Sequence, residues 1–221
     1  MGEPRFGVLR MWGQVVVDSP SKIDFYFDFA SPYAWLISER LEQLAARYQR
    51  EVVWRPVLLF AIFKAVGLPA PMDTEAKRKY MLRDMERSAR YYGVPYRHPA
   101  NFPAISPVPG RLFYGLAEQE PTQAKTFAKH ALRSHFVDGK DTTKPDVVAA
   151  IASEAGIPAS FVEAALTGER GKSLLRESIE EATRRGVIGS PFVIVDGEPF
   201  FGADRLDHIE WWLKSQKRAE A

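Results

Sequence analysis

Between Ile23 and Trp35 the hydrophobic period changes at a single serine, and that change constrains the fold more than any other feature of the chain. From Ile23 to Phe29, the residues Ile23, Phe25, Phe27 and Phe29 alternate with Asp24, Tyr26 and Asp28. A period of two predicts a strand with one buried face. After Pro32, the residues Trp35, Leu36, Leu41, Leu44 and Ala45 fall at helical spacing, with Glu39, Arg40, Glu42 and Arg47 between them, which predicts a helix to about Gln49. Ser31 stands at the joint. Serine caps free backbone N–H groups and proline suits the first helical position, so Ser31-Pro32 marks a helix start. One hydroxyl is thereby placed where unpaired N–H groups and the helix dipole attract anions. Two readings stand: Ser31 only caps the helix, or it also holds an anion. On this stretch alone the cap is the simpler.

The rest of the composition narrows the chemistry by exclusion. The chain has no cysteine, which removes disulfides, thiol nucleophiles and cysteine metal sites. His98, His130, His135 and His208 are scattered without metal-ligand spacing, so no metal site is expected. A formal net charge of +2 in 221 residues gives no reason to expect nucleic acid. No apolar run reaches the length of a membrane span, and Met1 to Pro20 lacks a signal-peptide core. A cytoplasmic location is the expectation.

Residues 1–22 read as an N-terminal extension, in which Val15-Val16-Val17 resembles either a strand start or a loose tail. Beyond the first helix, Glu51–Val57 reads as a second strand, parallel to the first because a helix joins them. Helical patterns follow over Leu58–Val66, Glu75–Tyr92, Thr122–Phe136, Val147–Ala155, Pro158–Leu166 and Gly171–Arg185. His98 to Pro109, rich in proline, reads as irregular. Strands return after Gly186: Ser190 to Gly202 has the pattern of a hairpin turning at Asp196-Gly197, and a last helix runs from Ala203 through Leu213. The expected architecture is α/β, a thioredoxin-like fold with a long all-helical insertion. Residues 23–57 and 187–215 form the thioredoxin-like domain, and residues 58–186 the helical insertion and return helix.

In that order of elements the working site is the N-terminus of the first helix, where a Cys-x-x-Cys pair normally sits. Ser31-Pro32-Tyr33-Ala34 occupies the slot, so dithiol exchange is impossible and any thiol must arrive with a ligand. Pro191 either marks a sheet edge or is a cis proline facing the helix, leaving Ser190's backbone free to pair with a peptide-like ligand. Asp204 opens the last helix and can meet an ammonium group, while Lys77 alone reads as a solvated lysine.

Ser31-Pro32-Tyr33-x-Trp35, Trp54-Arg55-Pro56-x-Leu58-Leu59, Lys77-x-x-Tyr80, Phe102-Pro103, Gly189-x-Pro191-Phe192 and Phe201-Gly202-x-Asp204-Arg205 together resemble the 2-hydroxychromene-2-carboxylate isomerase family. That family is similar to kappa-class glutathione transferases and belongs with the DsbA-like thioredoxin folds. The resemblance covers Ile23 to Leu213 and implies glutathione as the cofactor. Its sulfur would lie at Ser31, its cysteinyl backbone at Ser190 and Pro191, its γ-glutamyl end at Ala203 and Asp204, and its glycyl carboxylate near Lys77. A homodimer is also implied. Two positions depart from the family pattern: Leu68 and Ile105 stand where it usually has asparagine, which leads us to expect a more apolar pocket. Tyr33, Trp35, Phe60 and Phe63 are the expected walls for a small aromatic or electrophilic substrate. The resulting expectation is a glutathione-dependent isomerase of aromatic-compound catabolism with Ser31 activating the thiolate. The alternatives are a kappa-like glutathione transferase and a thioredoxin-like binding module without catalysis.

Overall fold

The computed structural model describes residues 22–219; the Val15–Val17 stretch lies outside them. The chain opens with β1 (Lys22–Phe27), α1 (Pro32–Arg47) and β2 (Glu51–Pro56). Seven helices follow: α2 (Leu59–Val66), α3 (Glu75–Tyr92), α4 (Pro107–Ala117), α5 (Pro121–Phe136), α6 (Pro145–Glu154), α7 (Ala159–Thr167) and α8 (Glu169–Arg184). It closes with β3 (Phe192–Val195), β4 (Glu198–Phe201) and α9 (Leu206–Ala219). The sheet order is β2-β1-β3-β4. β1 and β2 run parallel from Lys22↔Glu51 to Phe27↔Pro56, as a connecting helix requires. β3 lies antiparallel to both β1 and β4. Asp196 (φ 52°) and Gly197 (φ 86°) are both left-handed, the backbone that a two-residue hairpin loop demands. This is the thioredoxin-like arrangement, with α2–α8 inserted between β2 and β3.

Core packing follows from the β1 alternation. Phe25 and Phe27 stack at 5.0 Å, and Trp54 of β2 meets them edge-on at 5.3 and 5.2 Å. Phe29 continues the row to Phe127 of α5 at 6.3 Å. One cluster of buried residues therefore runs from the sheet into Leu112, Phe127, Leu132 and Val148 of the inserted helices.

Two expectations need correction. β1 buries both faces: Tyr26 packs with Val57, Ile62, Ala182 and Phe192 on the side expected to be polar. An inner strand covered by helices on each side has no solvent face. Asp24 tolerates this because Arg55 Nε (2.5 Å) and Arg185 Nη1 (2.7 Å) meet its carboxylate. The second correction is α4, which begins at Pro107, inside the stretch read as irregular. Pro107 and Pro109 fall in its first turn, where backbone N–H groups have no intrahelical acceptor to lose. α8 then lies backbone against α4: a Cβ on Gly171 would fall 2.6 Å from the Arg111 carbonyl oxygen.

Candidate active site

Ser31 is the N-cap of α1, and its Oγ accepts the Ala34 N–H at 3.3 Å. The same hydroxyl donates its one proton to the Ser190 carbonyl at 3.0 Å. Ser190 Oγ in turn accepts the Asp28 N–H at 2.8 Å. The cap reading holds, and the same hydroxyl joins the helix start to the segment ahead of β3. The Ser190–Pro191 bond is cis, as is Phe102–Pro103.

These residues sit in a cleft of about 540 Å³ whose lining includes Tyr33, Phe60, Phe63, Ser190, Pro191, Ala203 and Asp204 with Ser31. Tyr33 donates to Asp84 Oδ2 at 2.7 Å, and burial together with that bond raises its pKa. The loop carrying Ala203 is tied to α3 by the Tyr92 hydroxyl, which donates to the Ala203 carbonyl at 3.3 Å. Gly189 lets the backbone pack against the Phe201 ring, from which a Cβ would lie only 2.1 Å away.

Several expected residues are placed otherwise. Trp35 does not line this cleft; it is buried in the core, with its Nε1 donating to the Pro95 carbonyl at 2.8 Å. Two residues beyond Tyr33 is about 200° around a helix, so the two rings cannot share a wall. Lys77 is exposed and pairs with Asp73 at 2.9 Å. It lies one turn before Met81 on the α3 face that lines the cleft, and so extends that stripe outside it. Leu68 and Ile105 are exposed and lie outside the lining, so the two departures do not change the cleft wall. Asp204 lines the cleft while its carboxylate is held by Arg205, which keeps its pKa below the usual value. Among the described residues, no group of three or more metal-ligating side chains is placed to hold an ion. Nor is any helix among them long and apolar enough to cross a membrane.

The residue the sequence reading passed over is Asp28. Its carboxylate is buried beside Ser31 and accepts the N–H groups of Ala30 (2.8 Å) and Leu59 (2.7 Å). It thus caps α2, whose own N-cap residue, Leu58, offers no side-chain bond. Burial pushes its pKa up to about 6, against the opposing pull of those two bonds. An unfolded aspartate titrates near 3.9, so between those values the native state holds the extra proton. Asp28's contribution to stability is therefore full below about pH 4 and is lost as pH rises through about 6. Asp28→Asn cannot ionise. Denaturant titrations from pH 4 to 7 are expected to show its stability gaining on wild type by up to about 3 kcal/mol. Parallel profiles would show that Asp28 does not titrate in this range.

The description "DSBA-like thioredoxin domain" matches residues 22–214. The chain belongs to the DsbA-like thioredoxin family. Within it, the chain is 32% identical over 193 residues to the 2-hydroxychromene-2-carboxylate isomerase of Sphingobium xenophagum, covering 86% of this chain and 97% of that relative. It is 27% identical over 206 residues to human glutathione S-transferase kappa 1, covering 85% and 88%. A solved structure of a 2-hydroxychromene-2-carboxylate isomerase superposes with a TM-score of 0.80 at 27% identity, over 90% of this chain and 97% of that one. These two curated relatives of this DsbA-like protein, an isomerase and a glutathione transferase, match it over 86% and 85% of its length.

Proposed function

We propose that this protein is a glutathione-dependent isomerase in which Ser31 holds the cofactor's sulfur as a thiolate. The observation that carries the reading is the Ser31 hydroxyl, capping α1 at the cleft and reaching the Ser190 carbonyl. The cleft residues fit glutathione: a hydroxyl at a helix N-terminus suits a sulfur anion, and Ser190's backbone suits a peptide. Asp204, kept ionised by Arg205, suits an ammonium group. When bound, glutathione supplies a thiolate that adds to an electron-poor double bond, permits rotation and leaves again.

Ser31 has one proton, and it is committed to Ser190. A peptide N–H donated to the Ser190 carbonyl replaces that bond and frees the Ser31 proton for the sulfur. Such a charge-assisted bond is stronger than the neutral one it replaces. Ser190 therefore couples occupancy of the site to activation. Tyr33, Phe60 and Phe63 exclude water beside the sulfur position. Ala203 and Asp204 hold the γ-glutamyl end, and Lys77 meets the glycyl carboxylate after leaving Asp73. The transferase reading, in which the adduct departs, is supported by the kappa-class relative that matches the same length of chain.

Calorimetric titration with glutathione tests the assignment. Asp204→Asn is expected to weaken binding about tenfold while leaving the pKa of the bound thiol unchanged. Unchanged affinity would remove Asp204 from the site.

A further inference from the structure

The charges of the cleft bear on what its second ligand is. Among the described residues, its lining includes three carboxylates, Asp28, Asp84 and Asp204, and no lysine, arginine or histidine. Asp84 is already engaged by Arg87 and by the Tyr33 hydroxyl, so Tyr33's proton is not available to a ligand. Asp204 is engaged by Arg205. The remaining wall is soft and aromatic: Phe60, Phe63, Phe102 and three of the chain's five methionines, Met72, Met81 and Met85. Methionine sulfur packs favourably on aromatic rings and adapts to flat ligands. The donors facing the cleft are neutral hydroxyls. Tyr80 lines it and accepts a bond from Arg87 Nη2 (3.3 Å), which leaves its own proton for a ligand oxygen.

We infer that the second ligand of this cleft is an uncharged aromatic carbonyl compound, and that a carboxylate on its ring is rejected. The inference rests on the proposed function for the role of that ligand, and it sets this chain apart from relatives named for a carboxylate substrate. An ionised carboxylate moved from water into this wall loses its hydration and gains no cation. It would also face the buried Asp28 carboxylate and the sulfur anion of the cofactor, while Asp84 and Asp204 keep Arg87 and Arg205 occupied. A neutral carbonyl loses far less, and a phenol donor suffices for it. Exposed apolar side chains at Tyr80 and Phe201, on the rim, extend the same surface outward.

The test uses three ligands of one shape that do not react with thiols: acetylnaphthalene, the matching acetylnaphthoate, and the acetylnaphthamide. Their binding is measured by calorimetry on the full chain, with and without saturating glutathione. The ketone and the amide are expected to bind alike, and the carboxylate about tenfold more weakly or worse. Met81→Arg, which puts a cation on the half-exposed wall, is expected to reverse that order; Met72→Lys is the second variant if Met81→Arg does not fold. Equal or tighter binding of the carboxylate by wild type overturns the inference, and so does failure of all three to bind. Absence of glutathione binding in the same titrations would instead overturn the cofactor assignment, leaving the ligand preference to be read from the glutathione-free arm.

Discussion

Ser31→Ala is expected to raise the pKa of the bound glutathione thiol by roughly one to two units. The Ser31 hydroxyl donates from the N-terminus of α1, and a hydrogen bond to a charged acceptor contributes about 1.5–3 kcal/mol. Affinity should change far less, because Ser190, Ala203, Asp204 and Lys77 hold the rest of the tripeptide. The acid limb of the pH–rate profile for glutathione addition should therefore move to higher pH. The variant also loses a helix cap, worth about 1 kcal/mol, so its melting is recorded alongside. Ser31→Thr, which keeps both the cap and the proton, should restore the wild-type profile. If the acid limb of Ser31→Ala stays in place, Ser31 is a cap and nothing more.

Phe127→Ala is expected to cost about 3–5 kcal/mol of stability, the usual range for an aromatic removed from a packed interior. Phe127 lies fully buried in α5, with its ring 6.3 Å from that of Phe29, two residues beyond β1. Inserted helices and sheet share that cluster, so the loss should lower the melting temperature of one cooperative transition. Two resolved transitions, with near-ultraviolet signals from the Trp54 cluster unaffected, would show that the helical segment folds on its own. Differential scanning calorimetry of the variant beside wild type decides between them.

Much of this architecture is legible in local pattern. The switch of period at Ser31 predicts both the strand and the helix, and Asp196-Gly197 predicts the hairpin, because each is decided within a few residues. What local pattern could not show is what packs on the other side. Asp24, Tyr26 and Asp28 read as a solvent face, yet α8 and α2 cover them, and their polarity is satisfied by Arg55, Arg185 and backbone N–H groups distant in sequence. α4 was hidden by its prolines, which mark a helix start as readily as a loop.

The site shows the same division. Ser31, Ser190 and Pro191, placed by the order of elements, and Ala203 and Asp204, placed by the resemblance, line one cleft. Trp35 fails as a wall on helical geometry alone, and counting degrees around α1 from Tyr33 would have excluded it. Leu68 and Ile105 occupy positions that the resemblance singles out, but both are exposed and outside the cleft lining. Asp28 has a sequence signal, an acid three residues before the cap serine. Only the fold shows that its carboxylate reaches the start of α2.

The central claim, that Ser31 holds a glutathione thiolate, is tested most directly by an ultraviolet difference spectrum of wild-type protein titrated with glutathione at neutral pH. The account predicts saturable growth of the thiolate absorbance at neutral pH, persisting below the pH at which the free thiol titrates. Binding without a thiolate band, or no binding at all, would contradict it.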